Sequence, residues 1–314
     1  MINGIININK EPGYTSHDVV ARLRGITKQR KIGHTGTLDP DAKGVLPICF
    51  GKATKVCELL TNQDKVYVTT LLLGKTSDTQ DISGKILSEE DTSFLTEEMV
   101  VDCIKAFHGE SYQIPPMYSA LKVKGKKLYE LAREGVEVER KPRKIIVHEM
   151  NILTIDFPRV ILEIKCSKGT YIRTICHDIG KKLGCGGLME ELLRTEVGQF
   201  TLGDSITIDE FGEVFMAGEL EQILVKIDSV FENYPKVHIK KGYESIAYNG
   251  NELTSQMLVL EEELSCEGIW DGNPQALKRV RLYDYLENFI GVYRFVGLEC
   301  EGQKLKVEKM FYER

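Results

Sequence analysis

The octapeptide Gly33-His34-Thr35-Gly36-Thr37-Leu38-Asp39-Pro40 constrains this chain more than any other stretch. Its two glycines let the backbone bend and pass close to another group. Pro40 biases Asp39 away from the helical region, so the carboxylate stands on an extended or turn-like backbone. The apolar run Val45 to Phe50 follows, bounded by Gly44 and Gly51, and reads as a buried strand. A carboxylate presented by a constrained loop against a buried strand fits a nucleophile or a general base. It also fits a turn cap, a common use of Asp beside Pro and Gly.

A chain of 314 residues is long enough for about two domains, each with its own core. An opening strand is expected over 2–8, then a turn at 10–13 and a helix capped by Ser16 with Val19, Val20 and Leu23 at helical spacing. A short helix is expected over 54–60 and a strand over 65–74. The polar loop after Gly74 invites a phosphate-loop reading, which fails because position 69 is Thr where that motif needs Gly. An amphipathic helix starts at Thr96, and 113–120 is a stiff, proline-bearing extended segment. Paired strands are expected over 144–155 and 159–167, a helix from Tyr171 to about Gly184, a helix over 188–193, and an extended run over 194–200. Near residue 235 the chain changes character. Short strands, a glutamate-rich stretch and the β-runs 289–295 and 305–311 follow.

The eight cysteines lie at 49, 57, 103, 166, 176, 185, 266 and 300, with no C-x-x-C pair. This spacing argues against a zinc site, and the absence of a leader-like start argues against a disulfide framework. No run approaches the length of a membrane helix, and a cytoplasmic, membrane-free protein is expected. The net charge of -6 excludes a uniformly cationic nucleic-acid binder, so any such binding must use local patches. Two exist. Arg22, Arg24, Lys28, Arg30 and Lys31 stand with no acid between 22 and 31, and residues 122–144 hold nine basic side chains against four glutamates.

Besides Asp39, the residues with chemical promise are His34, Tyr67, Tyr171 and Arg173. An Arg beside a nucleophilic Asp keeps it ionised and orients it. Aromatic and His rings offer stacking faces to an extruded base.

The Asp39 block, with Gly44-Val45-Leu46-Pro47, Gly51 and Ala53-Thr54-Lys55, resembles the TruB family of tRNA pseudouridine synthases. The likeness continues through Lys65-Val66-Tyr67, Thr79 to Gly84, Pro115 to Lys122, Lys168 to Arg173, and Leu192-Leu193-Arg194-Thr195 with Gly198 and Phe200. It spans about residues 2–235. It implies an α+β fold, with a mixed, mostly antiparallel catalytic sheet (1–235) and a small β-rich, PUA-like RNA-binding domain (236–314). The implied activity is isomerisation of uridine to pseudouridine at tRNA position 55 in the T-arm, without metal or other cofactor, by a chain expected to be monomeric. By resemblance Asp39 is the nucleophile, Tyr67 stacks on the flipped base and helps remove the carbon-5 proton, and Arg173 pairs with Asp39. His34, Tyr171, Leu192 and Lys10 are the implied substrate-binding residues. Two departures stand out: Lys10-Glu11-Pro12-Gly13 has its proline one place late, and Leu193 occupies a position where many members carry Arg. A glycosylase-like hydrolase and a non-catalytic tRNA-binding protein are the alternatives.

Overall fold

The computed structural model describes residues 1–123, 125–259, 279–296 and 304–312. The backbone gathers into two compact units, Ile6–Phe50 with Thr54–Ile223, and Met1–Ile5 with Gly51–Ala53 and Leu224–Arg314. The elements leading up to the second unit's strands are, in chain order, β1 (Gly4–Lys10), α1 (Ser16–Thr27), β2 (Ile32–His34), β3 (Lys43–Phe50), α2 (Cys57–Thr61), β4 (Lys65–Leu73), β5 (Lys75–Ser77), β6 (Ile86–Glu89), α3 (Glu97–Lys105), β7 (Gly109–Gln113), β8 (Lys122–Val123), β9 (Lys126–Lys127), α4 (Leu128–Arg133), β10 (Arg143–Asp156), β11 (Arg159–Cys166), α5 (Ile172–Leu183), β12 (Gly187–Val197), β13 (Phe200–Thr201) and α6 (Ile208–Ala217).

A nine-stranded sheet runs β1-β3-β12-β4-β11-β10-β7, with β2 on β3 and β13 on β12. The β3–β12 pair is parallel, whereas β12–β4, β4–β11, β11–β10 and β10–β7 are antiparallel. The fold is therefore α+β with a mixed, mostly antiparallel sheet, as the sequence led one to expect. Val100, Cys103 and Ile104 of α3 and Ile172, Ile175 and Ile179 of α5 bury their apolar faces with Leu71, Val160, Leu162 and Ile164 of the central strands. That single core fixes the strands that carry the site.

Three local expectations are corrected. Thr15, not Ser16, caps α1: its hydroxyl accepts from the Asp18 N–H, and the Asp18 carboxylate accepts from the Thr15 N–H. The helix expected over 54–60 is a 3₁₀ turn over Gly51–Val56 that runs into α2. The helix expected over 188–193 is the middle of β12, a strand paired on both sides. Leu-Met-Glu-Glu-Leu-Leu favours helix by local preference, but preference is weak against burial. Here Leu188 and Met189 are buried, and two register irregularities let β12 follow β4.

In the other unit, β14 (Lys236–Ile239), α7 (Glu244–Tyr248), β15 (Leu253–Thr254), β16 (Leu258–Val259), β17 (Arg279–Tyr283), β18 (Phe289–Val296) and β19 (Lys304–Met310) form a six-stranded sheet ordered β15-β19-β18-β17-β14-β16, with α7 lying outside it. Val237, Ile239, Val280, Leu282, Ile290, Tyr293 and Leu305 make its core. The late β-runs are thus both strands, and they pair with each other. Glu261, Glu262, Glu263, Glu267 and Lys124 lie outside the described residues.

Candidate active site

Asp39 sits in the loop between β2 and β3, and this loop is anchored along its length. The Thr35 N–H and hydroxyl both donate to the Pro47 carbonyl (3.2 and 3.1 Å). The Leu38 N–H donates to the hydroxyl of Ser16 (2.9 Å), which ties the loop to α1. The Ala42 N–H closes a turn on the Asp39 carbonyl (3.1 Å), and the Gly13 N–H reaches the Pro40 carbonyl (3.0 Å). Gly36 has φ 122°, a conformation open to glycine and strained for other residues.

Lys10 lies beneath this loop. It is fully buried, and its Nζ donates to the carbonyls of Glu11, Tyr14 and Pro40 (2.9, 2.7 and 2.9 Å). Burial pulls its ammonium down to about 8. All three protons are directed at backbone, so the structure places Lys10 as a brace of the loop rather than at its open face.

Arg173 meets Asp39 from the first turn of α5. Its Nε lies 3.0 Å from Asp39 Oδ2 and its Nη2 donates to Asp39 Oδ1 (3.2 Å), a bidentate fork. The remaining guanidinium protons go to the Tyr118 carbonyl (2.9 Å), the Thr79 carbonyl (3.1 Å) and Asp81 Oδ2 (3.4 Å). A cation in the first turn of a helix opposes the helix dipole. Two carboxylates and two carbonyls compensate here. The Asp39 side chain keeps 37% of its surface open while Arg173 keeps 6%, so one carboxylate face remains available. Burial, more than any other influence, raises the Asp39 carboxyl above its ordinary range; Arg173 pulls it down, and Asp81 pushes it up again.

Tyr67, on β4, lies directly across from Ile164 on one side and Arg194 on the other. It is 9% exposed, and burial raises its phenol. Leu192 belongs to the same apolar cluster as Tyr67 and Leu38. Tyr171 precedes α5 and is clamped by Gln113, whose amide donates to its carbonyl (3.0 Å) and accepts from its N–H (2.8 Å). Burial raises its phenol. His34 meets His17 ring edge to face, with centroids 5.0 Å apart. Burial, and then the charge of His17, lower the His34 imidazole and favour its neutral form.

Asp39, Arg173, Tyr67 and their neighbours thus come together from four separated parts of the chain, while Lys10 stands behind them. The sequence did not single out Asp81, Gln113 or Arg194. Asp81 and Arg194 lie inside stretches already quoted for their resemblance, which was the available signal. Gln113 carried none.

Residues 24–172 match the profile of the TruB family pseudouridylate synthase N-terminal domain, and 173–232 that of the tRNA pseudouridylate synthase B C-terminal domain. The tRNA pseudouridine synthase B of Lachnoclostridium phytofermentans is 46% identical over 302 residues, covering 94% of this chain and 95% of that one. The protein of that name from Clostridium perfringens strain 13 is 42% identical, covering 99% of this chain and 100% of that one. Among solved structures, a Cbf5-Nop10-Gar1 complex contains a chain that superposes with a TM-score of 0.70 at 29% identity, covering 99% of this chain and 85% of that one. The protein is a pseudouridine synthase, an isomerase. Within that class, the chain belongs to the TruB family.

Proposed function

We propose that this enzyme converts uridine to pseudouridine in tRNA, at position 55 in the TΨC loop, with Asp39 as nucleophile on a flipped-out base. The relatives bearing the name tRNA pseudouridine synthase B support the substrate class. The observation that carries the mechanism is the bidentate Asp39–Arg173 pair, with one carboxylate face open and the guanidinium held by two carboxylates and two carbonyls. Such a pair holds the carboxylate ionised and aimed before substrate arrives.

In this reading Asp39 attacks the extruded uridine, at the uracil ring or at the sugar C1′, and the glycosidic bond breaks. The base turns within the pocket, carbon 5 bonds to C1′, carbon 5 loses its proton and N1 gains one. Asp39 is then released unchanged. Tyr67 stacks on the base and helps remove the carbon-5 proton. His34 holds the flipped conformation, and Tyr171 and Leu192 line the nucleotide pocket. The reaction balances in atoms and electrons without a redox or group-transfer cofactor. Exposed Arg22, Arg24, Lys28, Arg30 and Lys31 serve the RNA backbone. We assign the chemistry to residues 1–235 and a PUA-like RNA-binding role to 236–314, acting as a monomer in the cytoplasm.

The test is to treat an unmodified tRNA transcript, digest it and identify each nucleoside by position. Pseudouridine confined to position 55, and lost when that uridine is replaced by cytidine, is the expected result. Free uracil instead would mean hydrolysis, and product elsewhere would overturn the assigned position.

A further inference from the structure

Arg194 is 1% exposed. A buried guanidinium is costly unless a carboxylate answers it, yet Arg194 makes no ion pair among the described residues. Its Nε donates to the Val45 carbonyl (2.7 Å) at the foot of the Asp39 loop. Its Nη1 stands 3.9 Å from where a Cβ on Gly36 would be, and its Nη2 has no hydrogen-bond partner among the described residues. The nearby titratable groups Lys10, Lys65 and His34 add to the cost when charged. The group that offsets it is Tyr67, its cross-strand partner directly opposite on β4. A buried cation with a free donor, set against a phenol, suits negative charge growing on that phenol oxygen.

We propose that Arg194 is a positioning residue for Tyr67, holding the phenol oxygen toward carbon 5 of the uracil and stabilising the negative charge that grows there as the hydroxyl's own proton moves off, so that the oxygen can take the carbon-5 proton. This rests on the reading of Tyr67 given above. In that step the carbon-5–hydrogen electron pair becomes the carbon-5–carbon-6 double bond. The proton passes onto the Tyr67 oxygen as the hydroxyl's own proton moves off to solvent, and N1 takes its proton from solvent.

The experiment uses the full chain and an unmodified tRNA transcript carrying hydrogen or deuterium at carbon 5 of its uridines. Single-turnover rates at saturating enzyme are compared for the parent, Arg194→Lys, Tyr67→Phe and the double variant, with thermal transitions recorded. Arg194→Lys is expected to slow the reaction about tenfold or more, raise the carbon-5 isotope effect and leave tRNA affinity within about twofold. In the Tyr67→Phe background the same change should cost less than about twofold, because the two act as one unit. Equal factors in both backgrounds, or an Arg194→Lys chain that does not fold, would assign Arg194 to the core and overturn the proposal. So would a parental rate and isotope effect in Arg194→Lys. A parental rate in Tyr67→Phe would remove the reading of Tyr67 and the proposal with it, whereas slow Tyr67→Phe with multiplying factors would remove the proposal alone.

Discussion

Asp39 and Asp81 share one guanidinium, and in the proposed mechanism this bears on the acid side of the activity. The Asp39 carboxyl is raised by burial and, further, by Asp81, while Arg173 lowers it. The proposed attack by Asp39 needs the ionised form, so activity should be present above that titration and be lost as pH falls through it. Replacing Asp81 with Asn removes one of the raising influences while keeping an acceptor for Arg173. The acid limb of kcat/KM should therefore move to lower pH. A limb that stays or moves upward would show that another group titrates there. None of this was legible locally, since Asp39 and Arg173 lie 134 positions apart and no short-range pattern joins them. Their pairing was accessible only through resemblance, and the same resemblance matched Lys10 without showing it turned toward the backbone.

At the scale of elements, the parallel contact of β3 with β12 places the loop, Tyr67 and Arg194 in one neighbourhood. Gly44 makes that contact possible. Its φ is 105°, and a Cβ there would lie 2.1 Å from the Arg194 carbonyl oxygen, a backbone atom that cannot turn aside. Gly44→Ala should cost about 3 kcal/mol or more in urea denaturation, from backbone strain and lost pairing together. A change below about 1 kcal/mol would mean that the strands can part without consequence. Strands β4, β10 and β11 were readable because more and less buried residues alternate along much of each, and α3 and α5 because Thr96 and Gly184 mark their ends. The strand β12 was not. Its leucines, methionine and glutamates favour helix locally, and only the neighbours β3 and β4, remote in sequence, override them.

At the scale of the whole molecule, an acidic protein must hold a polyanion through a minority of its surface. Arg30 and Lys31 are exposed and close to the Asp39 loop in sequence. Changing both to Ala should weaken tRNA binding and flatten the slope of log affinity against log salt by about one to two, with little change in single-turnover rate at saturation. An unchanged slope would place the phosphate contacts elsewhere. Tritium release tests the proposed role of Asp39 as nucleophile. A tRNA transcript tritiated at carbon 5 of uridine is incubated with the parent and with Asp39→Asn. Release by the parent, no free uracil, and no release by Asp39→Asn are expected, while tRNA affinity stays within about tenfold. Parental release by Asp39→Asn would contradict it.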